Sequence, residues 1–472
     1  MNPMRTDETR HGLSTLSRLR ITAMVSILSL WVLILVLWVI WMSKGLRPIA
    51  DDYSRGAGLT DGPITAVVNL WNSWAGDLAT NLVNVVIVGI PLQYLPWSFG
   101  SSIAFLASGV MVSIVLLFVI NSQTGTNKKL TIPKRLILLP LALVAWWSYW
   151  WVNKEFNPND SFYESTTTSI TFWQNVNATY VFIPSIGIFL WLVIERIRKK
   201  HPNNLQVLPL YFLVGFVIGM SGIVFAVSFM IFVTLMLIAS WLDSRSPRAP
   251  QILIWASFIT TVFLAALASH FSPGSQNRTT FLPKISLDNE TILQLLHTVF
   301  PSLSDWLKSL VNPGMAISVI IIVIFATLLT LQGHSFDDQN LRQIGLGLIG
   351  FSLILFLVNG FSEVFAYAAF WHRIQGSTIL WIGIVSLGVS FALRISKSQI
   401  KPSVLVFSGV VVSIVSTVAV LQMTLEISAR SSLWESGPAP TTYIADIEDE
   451  NGWQRVNWLI LRNQIGGPDR GL

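Results

Sequence analysis

The sequence predicts an all-α, polytopic transmembrane helical bundle. Three observations predict it: a shortage of charge, a series of long apolar runs, and an uneven distribution of lysine and arginine between the loops. Only 11% of the 472 residues are charged and 52% are hydrophobic, with a mean hydropathy of +0.61. Soluble domains carry about 25% charged residues. This deficit indicates a chain whose solvent is largely lipid.

Eleven apolar runs approach the length of about 17–25 residues that a membrane-spanning helix needs. The first is too long for a signal-peptide core and lacks a small-residue cleavage site, so we interpret it as a retained anchor. The stretch 207–241 would overshoot the bilayer as one helix, and we divide it between Gly219 and Gly222. The transmembrane domain is predicted to cover residues 1–425. Its spans are about 21–42, 102–120, 136–151, 180–194, 207–219, 221–241, 252–268, 315–331, 344–359, 377–393 and 404–425.

The charges of the loops predict an orientation for these spans. The segments on the side of the N-terminus hold 18 lysine and arginine residues and 6 acids, whereas the longer segments on the other side hold 12 and 18. Basic residues concentrate in cytoplasmic loops, so we predict a multi-pass protein of the cell membrane with a cytoplasmic N-terminus. The long segments 43–101, 152–179 and 269–314 and the C-terminal tail 426–472 are then extracytoplasmic.

The first outer loop contains an amphipathic segment, predicted as one interfacial helix over about 64–88. If its apolar part, 78–95, crossed the membrane, every later basic loop would face outward. A lipid-binding surface helix is usually rich in lysine, but this polar face carries amides and hydroxyls. It suits a neutral, hydroxyl-rich ligand, with Asp77 and Asn81 as candidate contacts; an ordinary interfacial brace is the alternative. The polar residues share one helical face: Thr65, Asn69, Asn72, Ser73, Asp77, Thr80, Asn81 and Asn84.

Two adjacent carboxylates, Asp51 and Asp52, precede this segment and are followed by Tyr53. Acids at the mouth of an apolar bundle are costly to desolvate unless they have partners or a function. A carboxylate in that position can act as a general base. A divalent cation held by the two acids is a weaker interpretation. A solvated acidic turn with no role in binding or catalysis is the other alternative.

Two arginines in the outer segments are candidate phosphate ligands. Arg278 follows a turn that contains Pro273 and Gly274, and its fork of donors suits a phosphate. Arg373 lies on the stretch between the ninth and tenth spans. The alternatives are lipid headgroups for Arg278 and an ion pair with Glu363 for Arg373. Glu363 and His270, the latter at the start of the Arg278 loop, are further candidate substrate contacts.

Aromatic and amide residues precede the fourth span. Trp173, Asn177 and Tyr180 together suit the binding of a sugar ring. Four tryptophans crowd the outer end of the third span, and for these we expect an aromatic belt at the membrane interface: Trp146, Trp147, Trp150 and Trp151.

Several functional classes are excluded or disfavoured. The chain has no cysteine, so it has no disulfide and no thiolate metal site. Its six histidines show no zinc-ligand spacing, and no metal site is predicted from them. The basic residues lie at span ends rather than on one face, which argues against a nucleic-acid partner despite the pI near 9.5. No inner loop is long enough for a soluble nucleotide-binding domain.

Beyond these patterns, the chain resembles the GT-C superfamily of polytopic membrane glycosyltransferases. Asp51-Asp52-Tyr53 soon after the first span, followed by the helix from Ile64, looks like that family's first outer loop. More narrowly, the chain resembles O-antigen-glucosyltransferase-like and uncharacterised bacterial membrane proteins that begin with a DDY motif. It departs from their pattern at three positions: Asp77 stands where arginine is expected, Val176 where glycine is expected, and Ser275 where asparagine is expected.

This resemblance implies an inverting sugar transfer outside the cytoplasm. The donor would be a sugar on a polyprenyl phosphate, and the acceptor a cell-surface glycan, lipid or protein. Asp52, or failing that Asp51, would take the proton of the acceptor hydroxyl. Arg278 and Arg373 would stabilise the departing lipid phosphate.

Two other classes remain open from the sequence. A transporter or lipid flippase of envelope precursors would place ionisable residues or broken helices near mid-membrane, whereas the predicted spans carry their charges at the ends. A non-catalytic scaffold is the third.

Overall fold

We analysed a computed structural model of the chain. The structure describes fourteen stretches, and for some residues inside helices it describes the backbone only. The described residues are 15–46, 59, 61–73, 76–121, 132–156, 167, 170–171, 174–200, 205–242, 249–279, 289–331, 338–364, 369–395 and 402–436.

Every regular element in these stretches is helical. Helix α6 is assembled from Gln174–Asn177, the π-helical segment Ala178–Phe182 and Ile183–Lys200. Helix α3 contains a second π-helical segment, Val85–Gly89. The other helices are α1 (Thr15–Met42), α2 (Pro63–Ser73), α3 (Leu78–Tyr94), α4 (Trp97–Asn121), α5 (Ile132–Phe156), α7 (Leu208–Gly219), α8 (Ile223–Leu242), α9 (Ala249–His270), α10 (Pro273–Thr279), α11 (Asn289–Leu310), α12 (Pro313–Leu331), α13 (Asp338–Val364), α14 (Ala369–Ile395) and α15 (Pro402–Ser436).

The prediction of an all-helical membrane protein is confirmed for the described residues. Eight helical segments there are long and apolar enough to cross a membrane. Each of the eleven predicted apolar runs lies within a helix, apart from Val207, Ser221 and Gly222 at the start of two of them, and several helices extend well beyond their run. The remaining four helices, α2, α3, α10 and α11, lie in segments that the sequence analysis assigns to outer loops.

Helices α1 and α15 lie side by side and run parallel. The indole N–H of Trp31 donates to the hydroxyl of Thr417 at 3.0 Å, and that of Trp38 donates to Thr424 at 3.1 Å. Both pairs are 386 residues apart in sequence. The sequence separation is the same for both pairs, although the second pair lies seven residues further along each helix. The two helices therefore run in the same direction, with two helical turns between the two hydrogen bonds. Their N-terminal ends therefore lie at the same end of the bundle.

Two more pairs of parallel helices define the ends of the bundle. Ser108 and Phe118 of α4 contact Asn177 and Phe189 of α6 in that order. Helix α7 likewise runs parallel to α9. It contacts the C-terminal part of α6, where the hydroxyl of Tyr211 donates a hydrogen bond to Glu195 at 2.8 Å. We call the end at which α1, α7 and α9 finish and α4 and α6 begin the first-loop end.

Close helix packing depends on small residues. Antiparallel helices α13 and α14 touch at Gly345 and Gly383, where a Cβ atom on either glycine would lie about 3 Å from the carbonyl oxygen of the other. In lipid, helices associate through van der Waals contact at such positions rather than through a hydrophobic force. These glycines therefore let the two helix backbones approach each other closely.

The tryptophans of α5 correct the sequence analysis. We expected an interfacial belt, but Trp146, Trp147, Trp150 and Trp151 are all 2–3% exposed. Trp146 packs edge-on against Trp381 of α14, with ring centroids 5.3 Å apart. Helix α5 is enclosed by α1, α4, α12 and α15, so its aromatic side chains fill the protein interior.

The first outer loop also differs from its prediction. In place of one helix over 64–88, α2 and α3 are separate, and Asp77 before α3 has a non-helical ψ of 79°. The docking of Gly76 and Asp77 against another helix, described below, interrupts the helical path. At the other end of the chain, α15 continues to Ser436, beyond the predicted end of the last span at 425; most of the predicted tail lies outside the described residues.

Candidate functional site

The predicted site residues divide into described and undescribed ones. Four of them, Asp51, Asp52, Tyr53 and Trp173, lie outside the described residues. Arg278 lies on α10 and Glu363 on α13, and the structure describes only their backbones. Catalysis by the paired acids, and their distance from Arg278, therefore stay predictions.

Asp77 and Gly76 dock the first outer loop onto the end of α9. The Ser269 hydroxyl donates to Asp77 Oδ1 at 2.6 Å, and the Gly76 amide donates to Ser275 Oγ at 3.0 Å. The sequence analysis proposed Asp77 as a substrate contact; the structure gives its carboxylate a protein partner. The carboxylate also approaches Gly222, where a Cβ atom would lie 3.9 Å from Oδ2.

The close approach explains why residue 76 is glycine. A Cβ atom on Gly76 would lie 2.0 Å from the carbonyl oxygen of Ser269 and 2.1 Å from the hydroxyl of Ser272. Since one of those atoms is backbone, the neighbour cannot rotate away, and any larger residue would push the loop off α9. The tight junction requires a residue with no side chain.

The same junction brings two separate sequence motifs together. Helix α10 packs against α2, and the Asn277 amide donates to the carbonyl oxygen of Asn72 at 3.2 Å. Arg278 is the next residue after Asn277, so its backbone lies close to the end of α2. The hydroxyl oxygen of Ser275 accepts the hydrogen bond from the Gly76 amide. Ser275 is one of the three positions at which the sequence departs from the pattern of the family that it resembles. Gly76 and Asp77 thus lie against the Ser272–Arg278 segment at the first-loop end.

Helix α3 turns its polar face into the protein. Thr80 is 7% exposed, and Asn81 and Asn84 are 1% exposed, whereas Leu82 and Val86 are about half exposed. This orientation corrects the expectation of a water-facing amide surface over this part of the loop. In an apolar environment, amides must find partners inside the protein, so the amphipathic pattern is inverted relative to a soluble helix.

The amide face of α3 meets the start of α6. The Asn84 side-chain amide donates to Thr179 Oγ1 at 2.9 Å. Asn84 directly precedes the π-helical segment of α3, and Thr179 lies within that of α6. Single π-helical turns inside α-helices are frequent at functional sites. Two such turns at one contact therefore make this junction the leading candidate for ligand binding.

Two buried oxygens on the face of α3 that meets α6, Asn84 Oδ1 and Thr80 Oγ1, have no hydrogen-bond donor among the described residues. Asn177 Oδ1, on another face of α6 from Thr179, has none there either. Their residues are 7% exposed or less. Buried polar atoms are normally satisfied, and an amide oxygen can only accept. A molecule that donates hydrogen bonds, such as water or a polyol, would satisfy them.

The remaining amide and aromatic candidates on α6 have protein contacts. The Asn177 amide donates to the Ile170 carbonyl oxygen at 2.8 Å. Tyr180 packs edge-on against the ring of His372, with centroids 5.2 Å apart, and His372 Nδ1 lies 3.4 Å from Gln375 Oε1. The sequence analysis did not connect His372 with Tyr180, because no local pattern relates positions this far apart.

Arg373 is ion-paired with Asp305 of α11. The two side chains are 15% and 9% exposed, and Lys308 lies 3.5 Å from the same carboxylate. The sequence analysis weighed only Glu363 as a partner and missed Asp305. The available signal was a single acid in the otherwise uncharged turn before Trp306. His270, the last candidate, packs against the Phe271 ring, and its carbonyl oxygen accepts from Gln276 at 3.0 Å.

Among the described residues, no group of histidine and acidic side chains could hold a metal ion. The proposed cation position at Asp51 and Asp52 lies outside them. The fold and the site define an all-helical, membrane-embedded protein with a buried polar junction at one end. No protein-family model matches the chain, and neither a curated protein nor a solved structure matches it.

Proposed function

We propose that the protein is an inverting membrane glycosyltransferase. It would move a sugar from a polyprenyl-phosphate donor to a cell-surface glycan, lipid or protein acceptor on the extracytoplasmic face. The GT-C resemblance of the first outer loop supplies the reaction type. The observation that carries the proposal is the set of buried, donor-lacking oxygens where Asn84 meets Thr179.

The chemistry of this junction favours a hydroxyl-rich ligand. The amide oxygen of Asn84 accepts hydrogen bonds, and each sugar hydroxyl can donate one. The ring of Tyr180, the residue after Thr179 on α6, could stack on a sugar face, as could that of Trp173. The absence of full charge at the oxygens suits a neutral ring better than an ion.

The predicted topology gains support from helix direction. Parallel α1 and α15 fit an odd number of crossings, as in the eleven-span prediction. Helix α3 starts beside the end of α9 and finishes three residues before α4 begins. Both places belong to the first-loop end, in keeping with a segment that does not cross. A cytoplasmic N-terminus then puts the junction on the extracytoplasmic side.

The reaction assigns roles as follows. The acceptor hydroxyl oxygen forms a bond to the anomeric carbon while the bond from that carbon to the phosphate oxygen breaks. The proton goes to Asp52, with Asp51 as the second candidate, and the polyprenyl phosphate leaves with its electron pair. Arg278 would bind the phosphate, and Arg373, which is ion-paired with Asp305, is the second candidate for that contact.

A transfer assay tests the proposal. The full chain in liposomes receives a panel of radiolabelled undecaprenyl-phosphate sugars together with envelope glycans and lipids, and label in the acceptor fraction is measured. We expect transfer with at least one donor and its loss, by at least about a hundredfold, in Asp52→Asn. Asp61→Asn, an exposed acid of the same loop, should keep full activity. Absence of transfer from every donor, or unchanged transfer in Asp52→Asn, contradicts the proposal.

A flippase is the second candidate. Two π-helical segments and buried amides inside the bundle favour it, since transporters use interrupted helices at their binding sites. Sealed vesicles with a fluorescent undecaprenyl-phosphate sugar separate the two: protein-dependent loss of fluorescence to a membrane-impermeant quencher, without transfer to an acceptor, would favour the flippase.

A further inference from the structure

Helices α11 and α14 contact each other through buried polar side chains. Asp305 of α11 is ion-paired with Arg373 of α14, and the hydroxyl oxygens of Ser309 on α11 and Ser377 on α14 are 3.2 Å apart. Both pairs are 68 residues apart in sequence. Since the second pair lies four residues further along each helix, α11 and α14 run parallel, and their polar faces meet over at least one turn.

Asn359 of α13 lies beside this contact. Ser352, two helical turns earlier on the same face of α13, donates to the carbonyl oxygen of Gly376 on α14 at 2.8 Å. The residue after Asn359 is Gly360, where a Cβ atom would lie 3.0 Å from the hydroxyl of Ser302 on α11. Asn359 is therefore placed where α11, α13 and α14 meet. We call this place the polar seam; it comprises Ser302, Asp305, Asn359 and Arg373.

Two residues of the polar seam carry polar atoms without a partner in the part of the chain that the structure describes. They are the amide nitrogen and the amide oxygen of Asn359 and the hydroxyl of Ser302. Both residues are 0% exposed. The indole N–H of Trp306, one turn after Ser302 on α11, is buried without an acceptor as well. Since native proteins leave few buried polar groups unsatisfied, these atoms indicate a bound molecule.

The chemistry of the seam selects the kind of molecule. The Asn359 amide has two N–H donors and one acceptor oxygen, so its ligand must both accept and donate hydrogen bonds. An inorganic anion only accepts, and a metal ion would leave the N–H groups unused. A sugar ring is too large, because a Cβ atom on Gly360 would also lie 3.0 Å from the Cα atom of Val299, which brings α11 and α13 into backbone contact. Water has both functions and the right size, and a buried water typically makes about three such bonds.

Water in the seam would lie close to the ion pair. Ser302 precedes Asp305 by three residues, and side chains with that spacing are neighbours on a helix, about 5–6 Å apart. The side chains of Arg373 and Asp305 are 15% and 9% exposed. Burying two charges is costly, and the cost falls as the surroundings become more polar. A water within one turn of the pair therefore helps to keep both groups ionised inside the bundle.

We propose that Asn359 and Ser302 bind buried water, which bridges α11 to the α13–α14 hairpin and solvates the Arg373–Asp305 ion pair. The water accounts for a fully buried asparagine in a helix that is long and apolar enough to span a membrane, where lipid supplies no hydrogen bonds. The proposal is independent of sugar transfer, and its test needs no assay of activity.

Radiolytic labelling of the full chain in lipid nanodiscs tests the proposal. X-ray pulses convert water, including water bound inside a protein, into hydroxyl radicals that oxidise the nearest side chains, and mass spectrometry locates the products. Phe356 is the reporter: it is 0% exposed, and the Asn359 side chain leans over its turn, because helical side chains point toward the N-terminus. Phe229 is the reference, since it is also 0% exposed and packs against the rings of Phe232 and Phe351. We expect oxidation of Phe356 and none of Phe229.

Variants assign the labelling to the seam. Asn359→Leu with Ser302→Ala removes the polar groups and should lower the oxidation of Phe356 to the level of Phe229. Ser228→Ala is the matched control, because it removes a 0% exposed hydroxyl that already donates to the carbonyl oxygen of Val224 at 2.7 Å; it should leave the labelling unchanged. Thermal unfolding checks the fold of each variant, and Ser302→Ala alone, with a partial loss expected, replaces the double variant if that one does not fold.

Three results would overturn the proposal. If Phe356 is as unreactive as Phe229 in the folded wild-type protein, the seam is dry. If oxidation is unchanged in a folded variant of the seam, Asn359 and Ser302 do not hold the water. If Phe351, about two turns before Asn359 on the same helix, is oxidised as fast as Phe356, water enters because the hairpin opens as a whole.

Discussion

The hydroxyl of Ser269 donates a 2.6 Å hydrogen bond to the carboxylate of Asp77, across 192 residues of sequence. This bond joins the first outer loop to the end of α9 and sets the start of α3. Because α3 carries the buried amides, the contact also sets where Asn84 meets α6. Perturbing the junction should therefore affect both stability and the candidate site.

Gly76→Ala should destabilise the protein. The new Cβ atom would lie 2.0 Å from the Ser269 carbonyl oxygen, and overpacking of this kind typically costs about 1–3 kcal/mol. Thermal unfolding in detergent measures the loss. Gly350→Ala provides the matched control, since its Cβ atom meets nothing within 4 Å. Equal midpoints for the two variants would mean that the loop does not dock as described.

The Asn84–Thr179 pair should matter more for activity than for stability. Replacing both partners by apolar residues, as in Asn84→Leu with Thr179→Val, removes the hydrogen bond without stranding either group, which is often nearly neutral for folding. The proposed sugar transfer should nevertheless be lost. Measured transfer and thermal midpoints give the two readouts. Asn69→Leu, at an exposed position of α2, should change neither; full transfer in the double variant would remove the pair from the site.

Removing one partner of the Arg373–Asp305 ion pair should destabilise the protein strongly. Asp305→Asn takes away the charge that pairs with the largely buried arginine, and breaking a buried pair costs about 3–5 kcal/mol. The double variant Asp305→Leu with Arg373→Met should recover part of that loss. Arg394 pairs with Asp338 at 2.7 Å with side chains 51% and 29% exposed, so Arg394→Gln should cost only about 0–1 kcal/mol. Similar losses for both single variants would contradict the difference in burial.

The parallel register of α1 and α15 is testable because the chain has no native cysteine. A short thiol-reactive linker should join Trp31→Cys to Thr417→Cys, and Trp38→Cys to Thr424→Cys. The crossed pair, Trp31→Cys with Thr424→Cys, should not react, because seven residues shift the partner by about 10 Å along the helix. Efficient linking of the crossed pair would rule out this register.

The topology is open to single-cysteine labelling in intact cells. Asp61→Cys, in the first outer loop, should react with a membrane-impermeant maleimide, whereas Asn203→Cys, in a predicted inner loop, should react only after permeabilisation. The reason is the concentration of lysine and arginine in cytoplasmic loops. Labelling of Asn203→Cys in intact cells would invert the proposed orientation and, with it, the side on which the junction lies.

Much of the fold was predictable because the hydrophobic signal is local. A run such as 344–359 is apolar in its own sequence, and lipid selects for helices that satisfy their own backbone. The interruption at Gly76 and Asp77 was not predictable in this way. The polar periodicity continues through it from Asn69 to Asn84, whereas in the structure Gly76 and Asp77 leave the helical path and contact Ser275 and Ser269.

The site was predicted less completely. The sequence drew attention to Asp77, Asn177, Tyr180 and Arg373, and all four have contacts with other described residues. It did not provide their partners Ser269, His372 or Asp305, because each belongs to a distant helix. The burial of Trp146 and its neighbours was missed for a related reason: an aromatic cluster at a span end can face lipid or protein, and composition does not distinguish them.

The sequence by itself determined that this chain is a helical membrane protein, where its long apolar segments lie, and which residues would share a helical face. Tertiary structure alone decided which way each face turns. Hydropathy fixes the preference of a segment for lipid or water, but in a bundle the same apolar side chain can be covered by lipid or by another helix. That choice depends on contacts between distant segments, such as Asn84 with Thr179 and Trp31 with Thr417, which form only when the helices are assembled.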